Sequence, residues 1–218
     1  VNRESKTFVY VDGTQGWVVV NSNDESAIPS PFITATGGTE SNCGDYKIHT
    51  FTGPGTFAVS TSGATAANNI VSYMVVAGGG GGGSDYSGGG GAGGFREFKN
   101  SCDPYTASPL NGNPGGTSIT VTGIDYPITI GAGGASKSGG GVGNSGSPSI
   151  FSTVTSAGGG GGGATTSAVP GVSGGSGGGG GGCGGVGTPI SNGGSGNTPP
   201  VSPPQGNNGG GGFAQDSY

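Results

Sequence analysis

Apolar residues come in short β-rich bursts along the first third of the chain and then thin out into small islands. Thr7-Phe8-Val9-Tyr10-Val11 and Trp17-Val18-Val19-Val20 flank an Asp12-Gly13 turn signal, which predicts a hairpin. Tyr46-Lys47-Ile48-His49-Thr50-Phe51 alternates, and Thr56-Phe57-Ala58-Val59 follows after Gly53-Pro54-Gly55, which predicts a second. Ile70-Val71-Ser72-Tyr73-Met74-Val75-Val76-Ala77 is a third β-rich run. Ile119-Thr120-Val121-Thr122 and Tyr126-Pro127-Ile128-Thr129-Ile130 bracket Gly123-Ile124-Asp125 as a further expected hairpin, and Ser149-Ile150-Phe151-Ser152-Thr153-Val154 is the last island. No segment carries helical apolar spacing. The expected fold class is mainly β with irregular structure and no α-helix.

Glycine fills the rest. It accounts for 58 of 218 residues, most of it after Val76. Pure runs of six occupy 78–83, 158–163 and 177–182, with shorter copies at 88–91 and 209–212. Ala77 and Ala157 each join a β-rich run to a hexaglycine, a weak internal repeat. The division expected is a β-rich shaft or connector domain over 1–76 and a glycine-rich domain over 77–218. Gly-rich chain is ordinarily a flexible linker. Two features favour order instead: the runs match in length, and strand-like residues bracket them.

The ordered form expected is a bundle of polyglycine II helices, with three residues per turn and about 3.1 Å of rise per residue. Such a helix has no internal hydrogen bonds, so each N–H and C=O must find a partner in a neighbouring helix. Ordering a residue costs about 1–2 kcal/mol, and a net backbone hydrogen bond returns roughly 0.5–1.5 kcal/mol. A pair of helices would therefore fall apart, whereas a bundle sealed by strands can hold. Equal run lengths then set one bundle thickness, with the other segments looping out at its ends.

Those expected loops are 84–87, 100–114, 135–148, 164–173 and 188–208, rich in Ser, Thr, Asn and Pro with an occasional Tyr. A rigid scaffold presenting polar loops is a recognition architecture, and Tyr, Ser, Gly and Asn suit adaptable contact surfaces. Tyr86, Asp103, Tyr105 and Asn111 are the candidate ligand contacts. Phe95 and Phe98, flanking Arg96-Glu97, are expected to pack under the bundle.

Charge narrows the classes. The net charge is −5 and six Lys and Arg residues are scattered along the chain, so no basic patch exists for nucleic acid. No apolar run is long enough to insert into a membrane. His49 is the single histidine, expected to be structural because no second one exists for a triad or metal. Asp24-Glu25, and Asp45 with Glu40, read as solvated carboxylates rather than a catalytic pair. Cys43, Cys102 and Cys183 form no zinc-ligand spacing. Two arrangements are open: one disulfide and a spare thiol, with Cys43 and Cys102 as a candidate pair, or three free buried thiols. Asp is absent between Asp125 and Asp216, which disfavours a calcium repeat. No enzyme, metal or cofactor is expected. A start at Val1-Asn2-Arg3 reads as part of a longer polypeptide.

The run Tyr46-Lys47-Ile48-His49-Thr50-Phe51-Thr52-Gly53-Pro54-Gly55-Thr56-Phe57 resembles the start of a glycine-rich domain common in tail fibres of tailed phages. So do Tyr73-Met74-Val75-Val76-Ala77 with its hexaglycine, Gly88-Gly89-Gly90-Gly91-Ala92-Gly93-Gly94-Phe95-Arg96, and Ile128-Thr129-Ile130-Gly131-Ala132-Gly133-Gly134. The opening segment, Lys6 to Trp17, looks like the short β-repeats of fibre shafts. The glycine architecture is similar to that of distal tail-fibre adhesins of T-even-type phages. The resemblance implies a receptor-binding fibre tip on the virion, outside the cell. Its partners would be a bacterial surface glycan or outer-membrane protein and other virion fibre proteins, and its expected state is a homotrimer. The rival expectations are a purely structural virion fibre or decoration protein, an ice-binding protein, and a secreted cell-wall glycine-rich protein.

Overall fold

The computed structural model describes residues 8–11, 14, 16–19, 32–84, 86–113, 117–164, 169–182 and 191–213. The first hairpin forms as expected: β1 (Phe8–Tyr10) pairs antiparallel with β2 (Trp17–Val19), and the Tyr10 and Trp17 rings meet edge to face at 5.6 Å. The second does not. β5 (Tyr46–Thr50) turns back at Gly44-Asp45 onto β4 (Thr39–Cys43), while β6 (Gly55–Thr61) leaves to join a separate sheet. Gly37, at φ 114°, and Gly38, at φ 66°, explain the departure. A Cβ on either would strike the Thr56 or Thr50 carbonyl, so glycine there lets the β4–β5 ribbon begin hard against β6.

The main sheet has the order β13-β12-β11-β6-β3, built from β3 (Thr34–Thr36), β6, β11 (Asp125–Thr129), β12 (Ser149–Phe151) and β13 (Val154–Ser156), every neighbour antiparallel. It takes strands from both sides of the 76/77 boundary read from composition. The expected hairpin across 123–125 is also corrected: β10 (Ile119–Thr120) pairs with β7 (Ile70–Val71), and β11 pairs with β6 and β12. The third β-rich run divides at Ser72 into β7 and β8 (Tyr73–Val76), and β8 forms a ribbon with β9 (Phe95–Phe98). Ala66–Asn69 is a single 3-10 turn; no α-helix occurs among the described residues.

Alternation along these strands makes one core. Phe57, Tyr73, Val75, Phe98, Tyr126, Phe151 and Val154 are buried together, with Phe151 meeting the rings of Phe57, Tyr73 and Tyr126 at 5.9–6.2 Å. Phe98 lies in this core as expected; Phe95, on the opposite face of β9, is half-buried.

The glycine tracts grow directly out of the main sheet and the β8–β9 ribbon. β8 continues into 77–83, β13 into 157–164 and β11 into 131–137, while 88–94 leads back into β9 and 141–147 into β12. Hydrogen bonds between tracts recur at every third residue. Ala77, Gly80 and Gly83 donate to Gly94, Gly91 and Gly88 in turn. Gly78, Gly81 and Ser84 donate to Ser147, Asn144 and Gly141. Gly159 and Gly162 donate to Gly78 and Gly81, so the two units of the internal repeat lie parallel and side by side.

The three hexaglycines are the interior tracts. The 158–163 run exchanges bonds with 77–83, 88–94, 141–147, 169–175 and 176–182. Outer tracts instead keep glycine at every third position and expose what lies between: Gly143 and Gly146 face inward while Asn144, Ser145 and Ser147 are exposed. Several stretches expected to be loops are therefore tracts. Within 135–148, only the turn at 138–140 leaves the lattice; 169–175, 191–196 and 206–212 also carry lattice bonds.

Candidate functional site

The tracts have two ends. At one they fuse with the strands; at the other they turn back. The far end holds Ser84, Tyr86 and Ser87, the 138–140 turn and the chain at Gly182 and Phe213.

The candidate contacts divide between these ends. Tyr86 is on the far end, 80% exposed, and its carbonyl accepts the Gly182 N–H at 2.9 Å. A Cβ on Gly182 would lie 3.1 Å from the Tyr86 carbonyl and 3.4 Å from that of Phe213, so the two aromatic residues flank one glycine. Phe213 is 88% exposed. Ser84, buried beneath, has its hydroxyl bonded by the Gly140 and Gly141 N–H groups, which fixes the neighbouring turn.

Asp103, Tyr105 and Asn111 share the loop after β9, at the strand end. The loop is folded by its own side chains. The Ser72 hydroxyl donates to the Asp103 carboxylate and accepts the Asn100 N–H at 2.8 Å. The Asn111 amide oxygen takes the N–H groups of Lys99 and Asn113 at 2.9 and 3.2 Å. The buried Glu97 carboxylate accepts the Ser108 N–H at 2.9 Å. Asp103 and Asn111 thus spend their polar atoms on loop geometry. Tyr105 is 44% exposed under Lys99, whose Nζ sits 5.5 Å from the ring centre. Burial, with the Glu97 and Asp103 charges, raises the Tyr105 phenol above its usual range.

The remaining candidates have structural surroundings. His49 Nδ1 donates to the Gly37 carbonyl at 2.8 Å and its ring meets Phe57 edge to face at 5.0 Å. Glu40 is exposed, bonded to Lys47 at 3.1 Å, and that bond holds its carboxyl below the ordinary value. Asp24-Glu25 and Cys183 lie outside the described residues. Cys43 and Cys102 are free and exposed, neither bridged nor buried. Tyr46, directly across from Cys43, donates its hydroxyl to the Cys102 carbonyl at 3.3 Å; this contact, not a disulfide, links hairpin and loop. Among the described residues no group of three metal-ligating side chains occurs, and no helix is long and apolar enough to cross a membrane.

A glycine lattice fused to a small sheet is the deciding observation, and the family comparison agrees with it. The glycine-rich domain family matches residues 51–218, well over half the chain. The chain belongs to that glycine-rich domain family. No curated protein and no solved structure matches it. The family match begins inside the segment that composition assigned to a connector and takes in β6 to β13, so the glycine-rich domain includes most of its own supporting sheet. Phe213 was missed as a surface residue of this domain because a lone aromatic after a glycine run carries no periodic signal. Its pairing with Tyr86 arises only from the lattice.

Proposed function

We propose that this glycine-rich domain is the receptor-binding tip of a phage tail fibre, recognising a bacterial surface glycan or outer-membrane protein without catalysis. In this reading the tracts are polyglycine II helices, the domain is mounted as a homotrimer on other fibre proteins of the virion, and the far end of the bundle meets the host. The observation that carries the proposal is two highly exposed aromatic residues at that end, Tyr86 and Phe213, whose backbone carbonyls both lie beside Gly182. Large exposed aromatics are costly to solubility and suit contact with a sugar face or a protein surface. The rigid lattice behind them fixes their position, so little ordering entropy is lost on binding.

The test is saturable binding of the labelled chain to bacterial cells infected by a phage carrying it, with Y86A, F213A and Y105A compared. Loss of binding in Y86A and F213A, with Y105A unaffected, supports the far-end reading. Loss confined to Y105A moves the site to the strand-end loop. A folded chain that binds no such cells overturns the adhesin reading in favour of a purely structural fibre.

A further inference from the structure

Arg96 occupies a position that strand alternation assigns to the core. It pairs with Val75 across the β8–β9 ribbon and shares a face with Tyr73 and Phe98. It is 9% exposed. Among the described residues no carboxylate lies within 4.0 Å of its guanidinium; those ion pairs are confined to Glu40, Lys47 and His49. The adjacent acid, Glu97, sits on the other face of the strand with its carboxylate on the Ser108 N–H. Most of the side chain is covered, yet the guanidinium makes no ion pair and stays open to solvent, which leaves its fork available to an anion.

Arg96 opens onto a cavity of about 330 Å³ between β9, β13 and the 199–205 segment. That volume falls at the lower end of small-molecule sites. Thr117 also lines it, but its Oγ1 is buried against Gly112 and does not open onto the cavity. The Tyr73 hydroxyl donates to the Thr117 carbonyl at 2.6 Å and so fixes this residue beside Arg96. Val154 and Val201 supply an aliphatic wall. Gln205, at the base, is already engaged: its oxygen accepts the Ala157 N–H at 2.8 Å and its nitrogen donates to the Pro199 carbonyl at 2.9 Å. The groups left over are one guanidinium fork, the hydroxyl residues Ser118, Thr153 and Thr155, and an apolar wall.

We infer that this cavity is a binding site for the carboxylate of a small acid with a ring or aliphatic body, held by Arg96. The planar fork matches a carboxylate through two parallel hydrogen bonds. A single cation balances a monoanion, whereas a phosphate dianion would leave one buried charge uncompensated. The site lies at the strand end of the bundle and does not depend on the far-end adhesin reading. A free organic acid and an acidic sugar unit of a polymer share this chemistry.

Calorimetric titration of the full chain with glucuronate, benzoate, trigalacturonate, glucose, phosphate and sulfate tests it, with the thermal midpoint followed in parallel. The expected result is one saturable site for the carboxylates that raises the midpoint, and none for glucose. R96M should abolish it. Tighter binding of trigalacturonate than of glucuronate identifies a polymer as the source; equal or weaker binding identifies a free acid. Absence of carboxylate binding, binding unchanged in R96M, or phosphate or sulfate binding as tight as glucuronate overturns the assignment. Should R96M fail to fold, R96K decides: affinity about tenfold weaker supports the fork, and unchanged affinity refutes it.

Discussion

Substituting alanine for Gly160 should unfold the lattice locally, while the same change at Gly89 should not. Both glycines lie in tracts, and neither has a positive φ, so alanine can adopt the backbone at either position. The difference is space. At Gly160 an added Cβ would sit 1.8 Å from the Val172 carbonyl oxygen and 3.0 Å from the Gly178 nitrogen; at Gly89 nothing lies within 4 Å. Ordinary contact begins near 3.4 Å, so the 169–175 tract must retreat by about 1.6 Å. Four hydrogen bonds cross this junction, Gly160 to Ser176, Gly91 to Gly160, Val172 to Gly161 and Gly178 to Val172, at 2.8–2.9 Å. A shift of that size breaks the two that Val172 makes. At roughly 0.5–1.5 kcal/mol each, G160A should cost about 1–3 kcal/mol. G89A should instead stabilise by about 0.4–1 kcal/mol through the lost freedom of the unfolded chain. Urea unfolding followed by circular dichroism and tryptophan-independent amide signals measures both. Equal midpoints for the two variants would refute the claim that the tracts need glycine for backbone approach.

Other outcomes follow from the core and the titrating groups. Phe151, buried against three aromatic rings, should lose about 3–5 kcal/mol on truncation to alanine, read as a lowered urea midpoint. Burial raises the Tyr73 phenol above its usual value, against which the Thr117 bond acts. The folded form therefore holds its proton when the unfolded form releases it, so stability is full below the unfolded pKa of about 10 and falls as pH rises above it. Y73F should remove that part of the alkaline decline and cost roughly 0.5–1.5 kcal/mol at neutral pH for the lost bond to Thr117. Cys43 and Cys102 should both react with a thiol reagent in the native protein, as free exposed thiols do; labelling mapped by mass spectrometry that leaves both unmodified would contradict this.

The strands were legible in the sequence, but their partners were not. Tyr46–Thr50 and Gly55–Thr61 have the β-rich composition of a hairpin and the turn residues between them, yet each pairs elsewhere. Composition reports that a segment fits a pleated surface, whereas pairing is set by which faces meet in the core. The hexaglycines were readable as a lattice from their equal length. The outer tracts escaped notice because a surface tract needs glycine only where it faces inward, at every third residue, as with Gly143 and Gly146. The exposed Asn144, Ser145 and Ser147 between them look like loop composition. Asp103, Tyr105 and Asn111 were correctly grouped on one loop, but Asp103 and Asn111 hold that loop together, a use of polar atoms that only the three-dimensional bonds to Ser72 and Lys99 reveal. Arg96 was hidden by its neighbours: Phe95 and Phe98 sit three apart, so one strand sends them to opposite faces and carries Arg96 inward with Phe98.

A recognition role for the far end requires the tracts to be a rigid support rather than tethers, and amide hydrogen exchange reads this directly. The N–H groups of Gly80, Gly91, Gly160, Gly163 and Gly179 all donate to neighbouring tracts at 2.8–2.9 Å. They should exchange as slowly as the amides of β6 and β11, opening only with the whole domain. Exchange at free-peptide rates in these glycines, while β6 and β11 stay protected, would mean that the tracts are linkers and would contradict the scaffold.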